Sequence, residues 1–127
     1  MPARSPQELD RLFAEALNAG QLEALVTLYE PDAALTPQPG QVVTGTQAIR
    51  EALRAFVATK PTLTMEVKTL AQTADIALTS AKWDLRGTGP DGSPVTMSGH
   101  SVEVSRRQPD GTWRFVIDTP WGLGWSA

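Results

Sequence analysis

The sequence predicts an α+β fold, with helices in its first half and an antiparallel sheet in its second. Three observations carry that expectation. Apolar residues recur at three- and four-residue steps until the Lys60-Pro61 pair. From Thr62 onward the period changes to two, and β-branched and aromatic residues become common. Turn signals at Gly89-Pro90-Asp91-Gly92 and Pro109-Asp110-Gly111 separate consecutive alternating runs, as in a meander. Helices first and strands later is the α+β order.

The first helix starts at Ser5-Pro6-Gln7-Glu8, a capping box with proline at the first helical position. Leu9, Leu12, Phe13, Ala16 and Leu17 form one apolar stripe, Asp10, Arg11 and Glu15 fall on the outer face, and Gly20 supplies a left-handed stop. A short second helical piece places Leu22, Leu25, Val26 and Tyr29 on one face, with Pro31 just past its end. An extended stretch around Ala33 to Thr36 and the loop Pro37-Gln38-Pro39-Gly40 follow. The third helix runs from about Thr46, turning Ile49, Leu53, Phe56 and Val57 inward.

Four strands are expected after it. In the first, Leu63, Met65 and Val67 alternate with polar residues; in the second, Ala77, Thr79, Ala81, Trp83 and Leu85 do. The third runs from about Val95 to Arg106, with His100 on the face of Val102 and Val104, taken as its apolar side. The fourth puts Trp113, Phe115, Ile117, Thr119 and Trp121 on one face. Arg114, Val116 and Asp118 take the other, unless a β-bulge reverses the register. The tail Gly122 to Ala127 carries Trp125, so a packed end and a disordered one are both open.

A chain of 127 residues has room for one domain, 1–127, burying roughly two-thirds of its unfolded surface. Apolar residues at 41% and charged residues at 20% are ordinary globular usage. No apolar run approaches the roughly 18 residues of a membrane span, and the N-terminus lacks a secretory apolar region, so the expected location is cytoplasmic, away from membrane. The net charge is −3 and only Arg106 and Arg107 are adjacent basic residues, which argues against nucleic acid as a partner. Without cysteine there is no thiolate nucleophile, and a lone histidine with scattered carboxylates has no metal-ligand spacing, so no metal is expected. Gly87-Thr88-Gly89-Pro90-Asp91-Gly92 fits a dinucleotide fingerprint only superficially, because no helix follows it. The serine-hydrolase elbow is absent.

The succession of a helix, the Gly20 break, a helix ending in Leu28-Tyr29-Glu30-Pro31-Asp32-Ala33, then Gly45-Thr46-x-x-Ile49 and a meander closing with Asp110-Gly111-Thr112-Trp113-Arg114-Phe115 resembles the SnoaL-like, ketosteroid isomerase-like branch of the NTF2-like superfamily. The resemblance covers nearly the whole chain. It implies a cone-shaped, cystatin-like fold, a curved antiparallel sheet wrapped around N-terminal helices with an enclosed pocket, and no cofactor. It implies also a homodimer packed through the outer sheet face. The isomerase's helix tyrosine, base aspartate and second carboxyl match Phe13, Pro37 and His100 here. Phenylalanine and proline can neither donate to an enolate oxygen nor abstract a proton, so authentic ketosteroid isomerisation is not expected.

His100, with an unperturbed pKa of about 6.5, is the candidate acid–base residue. Asp118 is its possible partner, since a carboxylate beside an imidazole fixes its tautomer. Phe13, Tyr29, Leu35, Phe56, Met65, Trp83, Ile117, Thr119 and Trp121 are the candidate substrate-binding wall. The expected ligand is a small apolar or ring-bearing molecule. The expected activity is that of a cofactor-free isomerase, cyclase or dehydratase; the alternatives are a non-catalytic binding domain and a dimeric scaffold.

Overall fold

The computed structural model describes residues 2–122. In chain order its elements are α1 (Pro6–Asn18), α2 (Leu22–Val26), β1 (Tyr29–Gln38), β2 (Gln41–Thr44), α3 (Thr46–Ala58), β3 (Thr62–Gln72), β4 (Ile76–Thr88), β5 (Pro94–Arg107) and β6 (Trp113–Thr119). The architecture is α+β: one curved six-stranded sheet, ordered β2-β1-β6-β5-β4-β3, with the helices on its concave side.

α1 begins where the sequence places it. Ser5 Oγ accepts from the Glu8 amide at 3.1 Å, and Glu8 Oε1 accepts from the Arg4 amide at 2.9 Å. The reciprocal bond of the capping box thus reaches Arg4 rather than Ser5. At the other end Gly20, with φ +70°, lets the Gln21 amide turn back to the Ala16 carbonyl at 2.9 Å. Leu9, Ala16 and Leu17 are buried as expected, but so is Asp10, at 3% exposure. Residues 10, 13 and 17 lie on one face of the helix, so Asp10 joins the inward stripe instead of the outer face.

α2 stops at Val26, and Tyr29 opens a strand rather than extending a helical face. The Phe115 amide bonds the Leu28 carbonyl at 2.8 Å, so sheet pairing captures the chain at this point. β1 then runs parallel to β6, while the other neighbouring strands are antiparallel. The sheet therefore has six strands where four were expected: the stretch around Ala33 to Thr36 belongs to β1, and β2 forms a hairpin with it.

Two register effects decide what faces the interior. On β5 the inward residues at the pocket end are Ser101, Glu103 and Ser105, whereas His100, Val102 and Val104 point outward. The apolar side of this strand segment is its outer side, which corrects the placement expected for His100. On β6 the pairs Val104–Ile117 and Ser105–Phe115 leave Val116 as an extra residue, a β-bulge. Alternation reverses across it, so Phe115 and Asp118 both face inward while Ile117 turns out to 44% exposure. Ile117 is therefore no part of the inner wall. Among the described residues, no helix is long and apolar enough to cross a membrane.

Candidate acid–base pocket

Between α1, α3 and the concave sheet face lies a cavity of about 60 Å³, against roughly 10–15 Å³ for one water. Six of the residues expected to line it do so: Phe13, Leu35, Phe56, Met65, Trp83 and Trp121. Trp83 and Trp121 meet edge to face, with ring centres 5.2 Å apart at 71°. Their indole nitrogens are both used, Trp83 Nε1 donating to the Pro120 carbonyl at 2.7 Å and Trp121 Nε1 to the Pro37 carbonyl at 2.9 Å. Gly99 makes room for this arrangement, because a Cβ there would lie 3.2 Å from Trp83 Cζ2. Among the other predicted site residues, Asp118 also reaches the wall, whereas Ile117, His100 and Thr119 fall elsewhere. Ile117 and His100 lie on the outer face, where His100 is exposed and pairs across the sheet with exposed Lys82. Thr119 uses its hydroxyl to donate to the Gly122 carbonyl at 2.6 Å and is not in the wall.

The polar part of the wall consists of Asp10 from α1, Ser101 and Glu103 from β5, and Asp118 from β6. Tyr29 sits behind it: its hydroxyl donates to Asp118 Oδ2 at 2.5 Å. Thr79 Oγ1 donates to Glu103 Oε1 at 2.9 Å. Asp10 Oδ2 is fully buried and receives no hydrogen bond from an N–H or hydroxyl donor among the described residues. Among the described residues, no ion pair reaches any of the three carboxyls.

Burial without a counter-charge determines their protonation. Asp10 is pushed up to about 9, first by burial, then by the charge of Glu103 and a hydrogen bond shared with it, against a weaker opposing bond from Thr79. Asp118 is pushed up to about 7 by burial and by the charge of Glu103, while the Tyr29 hydroxyl holds it down. Glu103 is raised by burial, opposed by bonds from Ser101, Thr79 and Asp10. Tyr29 is raised well above its ordinary value, chiefly by burial and then by Asp118. The set titrates as a unit. Near neutral pH it holds a proton on Asp10 and divides Asp118 between its two forms, the arrangement that acid–base chemistry requires.

Asp118 was expected beside His100, yet its neighbours are Tyr29, Glu103 and Asp10. The last two were not expected at the site. Asp10 was detectable from its three- and seven-residue spacing to Phe13 and Leu17, and Glu103 from its parity with Ser101 and Ser105. Both signals lose, in a reading by hydrophobicity, to the apolar residues beside them. Among the described residues, no group of three or more His, Asp or Glu side chains is arranged to hold a metal ion.

Comparison with known proteins agrees with this architecture. The SnoaL-like domain family matches residues 9–116. None of the curated proteins matches the sequence. A proposed aromatic ring hydroxylase from Novosphingobium aromaticivorans is 23% identical with TM-score 0.81, over 92% of this chain and 85% of that one. A ketosteroid isomerase-like protein from Erwinia carotovora atroseptica is 18% identical with TM-score 0.77, over 89% of each chain. A proposed dehydratase of the NTF2-like family from Streptomyces avermitilis is 21% identical with TM-score 0.74, over 87% of this chain and 88% of that one. At these identities the likeness is one of fold.

Proposed function

We propose, for a chain that belongs to the SnoaL-like domain family, that the cavity is a cofactor-free proton-transfer site for a small, largely apolar carbonyl compound. The observation that carries this reading is the convergence of three buried carboxyls from three elements on one apolar cavity. Asp118 is the base: about half ionised near neutral pH, it can take a proton from carbon beside a carbonyl and return it elsewhere. Asp10, protonated, donates to the oxygen on which charge develops. Tyr29 positions Asp118, and the aromatic wall excludes water from the exchange. This assignment replaces His100, which faces away from the cavity.

The test is hydrogen–deuterium exchange at the α-carbon of small open-chain ketones such as acetone in heavy water, followed by proton NMR. Exchange above the buffer rate, abolished in Asp118→Asn, is the expected result. Ketone binding without exchange would instead make this a non-catalytic binding domain. The oligomeric state belongs to the same reading: the paired residues Ala34, Ile117, Val104, Leu78 and Ala71 form a continuous apolar row across the outer sheet face. A second copy is the partner proposed for that row.

A further inference from the structure

The cavity is too small for a ring. Its volume of about 60 Å³ falls well below the roughly 150 Å³ of a cavity that accommodates benzene, and suits a molecule of about four heavy atoms. Most of its wall consists of buried side chains set by helices and strands. Phe13, Phe56, Met65, Pro120 and Trp121 are the wall residues that keep partial exposure, so an entering molecule passes among them. Phe13, Phe56 and Met65 belong to α1, α3 and β3, whereas Pro120 and Trp121 lie beyond the end of β6.

This short segment is fixed at its backbone and at its ring. The Gly122 amide donates to the Thr119 carbonyl at 3.0 Å and the Thr119 hydroxyl to the Gly122 carbonyl at 2.6 Å, which closes a turn around Trp121. Gly122, with φ +71°, lies so close to β5 that a Cβ there would stand 2.7 Å from the His100 carbonyl oxygen. The indole is held separately. Its Nε1 donates to the Pro37 carbonyl on β1 at 2.9 Å, and its ring meets that of Trp83 on β4, whose own Nε1 donates to the Pro120 carbonyl at 2.7 Å. Trp121 thus reaches from β1 to β4 across the two strands between them, and closes that end of the concave face.

We propose that Trp121 is the specificity-determining residue of the pocket, limiting it to small open-chain carbonyl compounds by filling the space that a ring would need. This deepens the reading of the cavity as a proton-transfer site and rests on it. An indole is larger than a benzene ring, so alanine at this position vacates room for a six-membered ring. The carboxyls are carried and held independently of it: Asp10 stands on α1, Glu103 bonds Thr79, and Asp118 bonds Tyr29. Replacing Trp121 therefore changes which molecule enters and leaves the acid–base groups in place.

Amide NMR titration of the full chain with acetone and with cyclohexanone reads the limit through binding, and deuterium exchange at the α-carbon of both ketones reads it through turnover. The wild type should prefer acetone to cyclohexanone by about tenfold or more in affinity. Trp121→Ala should reverse that order, because the enlarged pocket buries more of the larger ketone. Trp121→Leu, which keeps the wall apolar and part of its bulk, should fall between the two, and it keeps the ratio readable if the alanine variant does not fold. Wild-type binding of cyclohexanone as tight as that of acetone overturns the proposal, and so does a ratio that neither substitution moves. A binding order that shifts as expected, with no exchange of either ketone in any of the proteins, upholds the size limit and removes the proton-transfer reading. Failure of both ketones to bind any of the proteins overturns the ligand site and the size limit together.

Discussion

Tyr29 shows how a single buried hydroxyl sets the behaviour of the site. Its bond to Asp118 is one of the few influences holding that carboxyl down against burial and the charge of Glu103. Tyr29→Phe should therefore raise the apparent pKa of Asp118 above about 7, measurable by carbon-13 carboxyl titration of aspartate-labelled protein. If the value fell or stayed put, the hydroxyl would not be the group that keeps Asp118 ionisable. Asp10 makes a second claim at this scale. Its folded-state pKa stands above its unfolded value of 3.8, at about 9, so the fold favours its protonated form. That contribution is fully present below the unfolded value and is lost as pH rises through the folded one. Urea denaturation should accordingly show stability falling between about pH 4 and 9, by an amount on the order of a few kcal/mol. Asp10→Asn should flatten the slope; an unchanged slope would locate the titrating group elsewhere. These residues also mark what the sequence could and could not disclose. The aromatic wall was legible because large apolar side chains in period must be buried somewhere. The carboxyls were not, because an inward Asp or Glu runs against the hydrophobic pattern that identifies the inward face.

At the scale of elements, pattern was a reliable guide wherever one face of an element stays buried along its length. α1, α3 and β4 satisfy that condition, and apart from the inward Asp10 of α1 their boundaries and inward residues follow the sequence closely. β5 does not, because its inward face is apolar at one end and polar at the other while the apolar residues cross to the outside. β6 departs for a different reason: the extra residue Val116 shifts the strand by one position, and parity counted from Trp113 gives the wrong side for Ile117 and Asp118. That one bulge brings Asp118 to the cavity. The start of β1 escaped notice, although the stretch around Ala33 to Thr36 was read as extended, because Tyr29 continues the spacing of the helix one turn before it. A test at this level is Gly99→Val on β5. The added side chain meets the Trp83 ring, which is fixed by its bond to Pro120 and its contact with Trp121. The substitution should cost about 1–3 kcal/mol as overpacking, read from urea denaturation. It should also change the emission of the tryptophans, whereas an unaltered spectrum would mean that the ring has room to yield.

For the whole molecule, the polar interior and the apolar exterior of the β5–β6 region are two sides of one fact. Facing Ser101, Glu103, Ser105 and Asp118 inward obliges Val102, Val104 and Ile117 to face outward, since neighbouring positions on a strand alternate. The protein thereby acquires an acidic cavity and, directly behind it, an apolar row that continues through Leu78 to Ala71 and, on the other side, to Ala34. A monomer leaves Ile117 at 44% exposure within that row, an arrangement that water disfavours and a second sheet face relieves. Ile117→Glu places a charge at the centre of the row without touching the cavity. Sedimentation equilibrium should give twice the chain mass for the wild type and one chain mass for the variant. Because Ile117 is flanked on β6 by Val116 and Asp118, the variant's Asp118 titration reports whether the two sides are linked: an unchanged apparent pKa means that the outer face serves assembly alone. A wild-type protein that sediments as a monomer would remove the partner proposed for this face, and the outward valines would then stand only as the consequence of an inward acid.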